Sequence, residues 1–91
     1  MKKAVRLYLT GTVQALFFEP FIKAQAEKVK VKGFIRTLED GRIEIFFEGD
    51  QTAVDFLMQL CKNKPPHCNI RGVEEKAERL QDFKDFKIFK F

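Results

Sequence analysis

The stretch that decides the fold of this chain is Gly11-Thr12-Val13-Gln14-Ala15-Leu16-Phe17-Phe18-Glu19-Pro20-Phe21. Ahead of it, the apolar residues Val5, Leu7 and Leu9 alternate with polar ones, which is the pattern of a half-buried strand. At its end, Pro20 suits the first turn of a helix, because its missing N–H would have no intrahelical partner there. We therefore expect a loop over residues 11–19 between a strand and a helix. The N–H groups of such a loop and the helix dipole together form a natural cradle for an anion.

A hairpin follows the first helical pattern. Residues 33–38 predict a second strand, and the alternation of Ile43, Ile45 and Phe47 predicts a third, with Phe47 in the core. The Asp40-Gly41 pair between them is typical of a hairpin turn, since glycine adopts positive φ without steric cost. We expect these two strands to be antiparallel neighbours.

A second helix and two further strands complete the pattern. Asp50 is a good N-cap. The apolar residues after it recur at i, i+3, i+4 and i+7, at Val54, Leu57, Met58 and Cys61. Residues 69–78 predict a long polar strand near a sheet edge, and Phe86 begins a short last strand. The order βαββαβ predicts an α+β fold, a ferredoxin-like two-layer sandwich with two helices on one face of an antiparallel sheet of four to five strands. We expect one domain over residues 1–91.

The charges of the chain are spread along its length. Its 91 residues carry a net charge of +4, with 17 basic and 13 acidic residues intermixed, which is typical of a thermostable-type surface. The nearest approach to a basic patch, Lys28, Lys30 and Lys32, lies at a helix end, where cations also suit the dipole. No apolar run has membrane-spanning length and no signal-peptide pattern opens the chain, so we expect a cytoplasmic protein without membrane contact. Cys61 and Cys68 are expected to be reduced thiols.

Several pieces of the chain match the motifs of one enzyme family, in the right order. The signature Gly-x-Val-Gln-Gly-Val-x-Phe-Arg has its counterparts in Gly11, Val13, Gln14, Phe18 and Phe21. Further matches lie at residues 33–41, 43–45 and 48–49, at Pro65-Pro66, and at Phe83, Phe86 and Ile88. On these motifs the chain resembles the acylphosphatases over nearly its whole length.

The resemblance implies a chemistry that this chain carries only in part. Acylphosphatases hydrolyse the carboxyl–phosphate bond of acyl phosphates without a metal, so no cofactor is expected. In the family, loop N–H groups and an arginine hold the phosphate, and an asparagine on the second strand positions the attacking water. Here Glu19 occupies the arginine position and Thr37 the asparagine position, while Ala15 and Phe17 stand where family members commonly have glycine.

The anion-loop equivalent is formed by Gln14, Ala15, Leu16, Phe17, Phe18 and Glu19. A carboxylate about 4 Å from a phosphoryl oxygen is repelled by roughly 1 kcal/mol in water and about 4 kcal/mol at an effective dielectric of 20. Nothing in the sequence indicates that Lys23, one turn further on, swings back to compensate. We expect Phe17 to be a core residue of a rebuilt loop rather than an exposed ring.

Glu19 and Thr37 each have an ordinary structural interpretation, which we prefer. A carboxylate at Glu19 would stabilise the N-terminus of a helix. A new catalytic acid there is disfavoured, because no His or second carboxylate pairs with Glu19. Thr37 is a β-branched strand residue rather than a holder of water. The sequence thus predicts an acylphosphatase-like protein without acylphosphatase activity, serving as a small binding or structural domain. The alternative is an active acylphosphatase that uses substitute residues.

The sheet face opposite the helices is a second candidate site. Alternation places Tyr8, Phe34, Arg36 and Phe46 there, with Phe89 or Phe91 near them. We expect long charged side chains to cover these rings. A protein partner or self-association through this face is the next interpretation, and RNA is the third, because acidic residues on this face would repel phosphates.

A metal site is disfavoured. Cys61, His67 and Cys68 supply three soft ligands without a fourth. A buried Cys61 and a solvent-facing His67 are the expected arrangement.

Overall fold

The computed structural model describes residues 1–63 and 68–89. Its elements are β1 (Lys2–Val13), α1 (Ala15–Lys28), β2 (Lys32–Thr37), β3 (Ile43–Asp50), α2 (Gln51–Lys62), β4 (Cys68–Glu78) and β5 (Phe86–Phe89). The strands form one five-stranded sheet in the order β4-β1-β3-β2-β5. Both helices bury their apolar residues in the same core against this sheet. The predicted ferredoxin-like sandwich is confirmed, and so is the edge position of β4.

The last strand departs from the predicted antiparallel sheet. β1 pairs antiparallel with β3 and β4, and β2 pairs antiparallel with β3, but β5 pairs parallel with β2. The reason is the path of the chain after β4. Residues 79–85 reverse its direction and bring it to the opposite edge of the sheet, where β2 already runs in the new direction.

The junction between β1 and α1 is much shorter than the predicted loop over residues 11–19. β1 continues to Val13 and α1 begins at Ala15, so Pro20 lies inside the helix rather than in its first turn. Gln14 is the N-cap, and its carbonyl oxygen accepts from the N–H groups of Phe17 and Phe18 at 3.0 and 2.9 Å. Residues 15–19 contain no glycine and adopt the helical conformation instead of an open loop.

Gly11 bends β1 toward this junction. The pairing of β1 with β4 shifts register between Thr10 and Gly11, where Gly11 has a φ of +145°. A Cβ at this position would lie 2.2 Å from the carbonyl oxygen of Asn69. Only glycine therefore fits the bulge that leads from the sheet into α1.

The main core lies between the sheet and the helices. Phe47 is fully buried there, which confirms the predicted register of β3. The predicted stripe of α2 is also confirmed, because Val54, Leu57, Met58 and Cys61 are its buried residues. Asp50 caps this helix by accepting from the N–H of Thr52 at 3.2 Å. Across residues 1–63 and 68–89, neither helix has the length and apolar composition that a membrane span requires.

Candidate functional site

The structure brings together Glu19 and Thr37, the two positions that the motif resemblance predicts to replace the arginine and the asparagine of the family. Glu19 lies on the buried face of α1, together with Phe18, Ile22 and Ala26. Thr37 is the last residue of β2, and its hydroxyl donates a hydrogen bond to Glu19 Oε2 at 3.1 Å. Glu19 is only 6% exposed. Helix packing on β2 therefore converts these two positions into a carboxylate–hydroxyl pair that points into the domain.

The segment equivalent to the anion loop comprises the N-cap and the first five residues of α1. The N–H groups of Phe17 and Phe18 donate to the Gln14 carbonyl, so they are engaged within the helix. Among the described residues, the only non-glycine positions with positive φ are Lys30 and Asp82, both far along the chain from this segment. Two N–H groups of residues 14–19 are therefore turned into the helix, and none of these residues has the positive φ of an open loop.

The side chains of this segment divide between the core and solvent. Phe18 is fully buried, Ala15 is half-buried, and Gln14 is exposed without capping the helix through its side chain. Leu16 and Phe17 are 74% and 54% exposed. The prediction that Phe17 is a core residue is wrong, because the helix begins five residues earlier than predicted and turns Phe17 outward while Phe18 and Glu19 turn inward.

Neither Lys23 nor any described residue that lines the depression beside the N-terminus of α1 offers an unpaired cation to an anion. Lys23 pairs with Glu27 at 2.8 Å and not with Glu19. Beside the N-terminus of α1, an open depression of about 240 Å³ is lined by Thr12, Gln14, Cys68 and Asn69. Burial raises the pKa of the Cys68 thiol, so that side chain is uncharged at neutral pH. All four lining side chains are therefore neutral.

On the opposite face of the sheet, the predicted aromatic site is covered by the chain itself. Phe46 is fully buried and Phe34 is 7% exposed. The Arg6 guanidinium lies 5.5 Å from the Phe46 ring centre and 5.7 Å from that of Phe34, and Arg36 lies 5.9 Å from Phe34. Phe83 and Phe89 pack on Phe34 at centroid distances of 5.7 and 5.0 Å. This confirms that charged side chains cover the rings, and it leaves neither Phe34 nor Phe46 a free face for a base to stack on.

The rest of this face is an ion-pair network. Glu44, 2% exposed, accepts from Arg6 Nη1 and Arg36 Nε, and Arg6 also reaches Glu78 Oε1 at 3.1 Å. These carboxylates raise the pKa of Arg6 against the opposing effect of its burial. The Tyr8 ring lies under Arg42 and Lys76, at 5.2 and 5.8 Å. Of the four predicted residues of this site, Tyr8 and Arg36 retain partial exposure. Phe91 lies outside the described residues.

Glu48 has a structural role that the sequence did not reveal. Its carboxylate is 4% exposed and accepts from three backbone N–H groups, those of Gln81, Asp82 and Phe83, at 2.7, 3.3 and 2.7 Å. It thereby ties the loop before β5 to the sheet and holds Phe83 over the buried rings. Alternation placed Glu48 on this face, but no local pattern indicates which distant loop it binds.

The cysteines do not form a recognisable metal site. Cys61 and Cys68 are not bridged, and burial of Cys61 raises its thiol pKa to about 12. Within residues 1–63 and 68–89, no group of three or more His, Cys, Asp or Glu residues is arranged to hold a metal ion. His67 and Pro65-Pro66 lie outside the described residues.

The comparisons with known proteins agree with the fold and with the motifs. The acylphosphatase family model matches residues 5–88. An acylphosphatase of Rubrobacter xylanophilus is 45% identical over 76 residues, which cover 84% of this chain and 69% of that protein. An acylphosphatase of Archaeoglobus fulgidus is 31% identical over 93% of this chain and 96% of its own length. The crystal structure of acylphosphatase from Bacillus subtilis matches with a TM-score of 0.88 at 28% identity, covering 99% of this chain and 100% of that one. The chain therefore belongs to the acylphosphatase family.

Proposed function

We propose that this member of the family does not hydrolyse acyl phosphates and serves as a small binding or structural domain. The observation that carries the proposal is the hydrogen bond of 3.1 Å between Thr37 and Glu19. By the resemblance to the family, these two positions would hold the phosphate and place the water. Here the two side chains bond each other, and the one at the arginine position has the wrong charge for a phosphate.

The backbone supports the same proposal. The family cradle uses loop N–H groups, whereas two of the equivalent groups, on Phe17 and Phe18, donate to the Gln14 carbonyl. Loss of a single oxyanion donor lowers a catalytic rate by about 10²–10³-fold. Replacement of a guanidinium by a carboxylate adds repulsion to that loss. We therefore expect turnover at least about 10³-fold below that of a competent relative.

The test is hydrolysis of acetyl phosphate and benzoyl phosphate, with the Bacillus subtilis acylphosphatase as the positive control. Purified protein at micromolar concentration is expected to leave the substrate decaying at its uncatalysed rate. Glu19→Gln is compared in the same assay. Turnover within tenfold of the control enzyme, in protein free of contaminating phosphatase, would contradict the proposal.

One observation favours a second candidate, an active acylphosphatase with substitute residues. The Rubrobacter xylanophilus acylphosphatase is 45% identical to this chain. The two candidates predict different results for the variants. If the chain is active through substitutes, Glu19→Gln and Thr37→Val change the turnover of the wild type. If the chain is inactive, both variants remain at the uncatalysed rate.

A further inference from the structure

The two edges of the sheet differ in how much they offer to another strand. β5 is an edge of four residues, whereas β4 is an edge of eleven. Natural proteins protect sheet edges with short strands, proline, bulges or isolated charges. Residues 72–78 of β4 contain no proline, and the register shift of this strand lies between Ile70 and Gly72, before that segment. Residues 72–78 therefore form a regular strand segment whose outer edge no other described strand covers.

The charges of this segment are self-complementary. Pairing with β1 places Glu74 opposite Tyr8 and Lys76 opposite Arg6, so both charged side chains lie on the face away from the helices. Both are exposed, and none of the ion pairs among residues 1–63 and 68–89 includes either of them. The Lys76 Nζ lies 5.8 Å from the centre of the Tyr8 ring, on this face. A strand with a carboxylate and an ammonium two residues apart can pair both with an antiparallel copy of itself.

We propose that residues 72–78 of β4 are the site at which a second copy of this chain adds to the sheet, antiparallel and about a two-fold axis at Glu75. In this register, Glu74 of each copy lies opposite Lys76 of the other, which forms two charge pairs. On the helix-facing side, Val73 of each copy lies opposite Ala77 of the other, and Val73 is only half-buried in the single chain. The two five-stranded sheets then join into one continuous sheet, with the helices of both copies on the same face.

The charge order disfavours the neighbouring registers. Residues that lie opposite each other on antiparallel strands point to the same face, so the two-fold axis moves by whole residues along β4. An axis at Glu74 would place that carboxylate opposite itself. An axis at Lys76 would place Lys76 opposite itself and Glu74 opposite Glu78. The axis at Glu75 also brings two carboxylates together, but each of them has its own cation, because Lys62 Nζ lies 2.8 Å from Glu75 Oε1.

Strand addition of this kind divides affinity from selectivity. Backbone hydrogen bonds between the two β4 edges supply affinity, and the side-chain pairs select the partner and the register. Substitutions at Glu74 and Lys76 therefore report on the register while leaving the fold of the single chain intact, since both side chains are exposed. The proposal is independent of the proposed function, because residues 72–78 include neither Glu19 nor Thr37.

The experiment measures association of the full chain by sedimentation equilibrium, for the wild type and for two charge-reversed variants alone and mixed. In a homodimer, Glu74→Lys places positive charges opposite each other, and Lys76→Glu places negative charges opposite each other. An equimolar mixture of the two variants restores both charge pairs, because each chain then faces the opposite charge at both positions. The control is a mixture of Glu39→Lys and Lys87→Glu, which makes the same changes of net charge at exposed positions outside β4.

The wild type is expected to dimerise with rising concentration, and each charge-reversed variant alone to associate at least about tenfold more weakly, since each alters two charge pairs. The mixture of the two is expected to recover the wild-type affinity, and the control variants to match the wild type. In the dimer, the backbone amides of residues 72–78 are expected to exchange with solvent more slowly. A wild type that stays monomeric at millimolar concentration, a mixture that associates no more tightly than its components, or exchange protection confined to other strands would overturn the proposal.

Discussion

Glu19 and Glu44 are the same residue type, buried to a similar degree on opposite sides of one sheet, and their surroundings differ. Glu44 faces Arg6 and Arg36 on the face away from the helices. Glu19 faces a single hydroxyl between α1 and β2. By pairing with both guanidiniums, the buried carboxylate of Glu44 links β3 to its two neighbouring strands, β1 and β2. Glu19 accepts one hydrogen bond from a neutral hydroxyl, so it fixes fewer neighbouring elements than Glu44 does.

The largest loss of stability is expected when the ion pairs of Glu44 are removed. Glu44→Gln removes the charge between two guanidiniums and turns an amide NH₂ toward one of them. We expect it to lower the free energy of unfolding by about 2–3 kcal/mol, less than for a fully buried pair because both arginines are partly exposed. Urea denaturation measures the change. A loss below about 0.5 kcal/mol would show that the network adds little to stability, as is common for surface pairs.

The next largest loss of stability is expected when the Thr37 hydroxyl, which donates a hydrogen bond to Glu19, is removed. Thr37→Val keeps the β-branched shape and removes the hydroxyl, leaving a carboxylate with 6% exposure without its hydrogen bond. We expect a loss of about 1–3 kcal/mol in the free energy of unfolding. Thr10→Val, at an exposed strand position, is the matched control and should be nearly neutral. An equally neutral Thr37→Val would mean that the bond to Glu19 is not formed in solution.

A smaller change is expected from Glu19→Gln, and it sharpens the contrast with Glu44→Gln. The amide oxygen can still accept from Thr37, while the cost of burying a charge disappears. We expect the free energy of unfolding to stay within about 0.5 kcal/mol of wild type or to rise. Because both substitutions are Glu to Gln, the difference between their urea midpoints compares the two surroundings directly. A loss for Glu19→Gln as large as that for Glu44→Gln would contradict the account of Glu19 as weakly satisfied.

The smallest effect is expected from restoring the arginine and asparagine of the family motif, which should give only a weak gain in phosphate binding. Glu19→Arg with Thr37→Asn is expected to bind inorganic phosphate weakly, because the N–H groups of Phe17 and Phe18 remain bonded within α1. Addition of Ala15→Gly and Phe17→Gly should improve binding by loosening the first turn, at a helix cost of about 1 kcal/mol for each glycine. Phe17 is exposed, so its removal opens no cavity in the core. Tight phosphate binding by the two-residue variant alone would show that the turn already forms a cradle.

The sequence predicted the core positions of the strands and of α2 better than it predicted the connections between the elements. Strict alternation placed Phe47 in the core, and helical spacing placed Val54, Leu57, Met58 and Cys61, because burial follows those periods directly. The start of α1 was missed, because this helix contains Pro20 in its interior, whereas propensity favoured Pro20 in the first turn. The direction of β5 was missed because it depends on where residues 79–85 carry the chain, which has no local pattern.

The candidate site was predictable in its positions and not in its geometry. The motif resemblance predicts Glu19 and Thr37 as the departures from the family, and nothing in their spacing indicated that they bond each other. That contact depends on how α1 packs across β2. For the same reason the partners of Glu44 and Glu48 could not be assigned from alternation, which gives the face of a strand and not the residues that reach it from neighbouring elements.

The most direct test of the central claim is a titration of the wild-type chain with inorganic phosphate, observed at the backbone amides of residues 15–19 and of Thr37. We expect no saturable shift of these signals up to millimolar phosphate, because a buried carboxylate stands at the position that the motif resemblance assigns to the phosphate-binding guanidinium, and two of the N–H groups are engaged in α1. Saturable binding centred on these amides, lost when Thr37 or the first turn of α1 is altered, would contradict it.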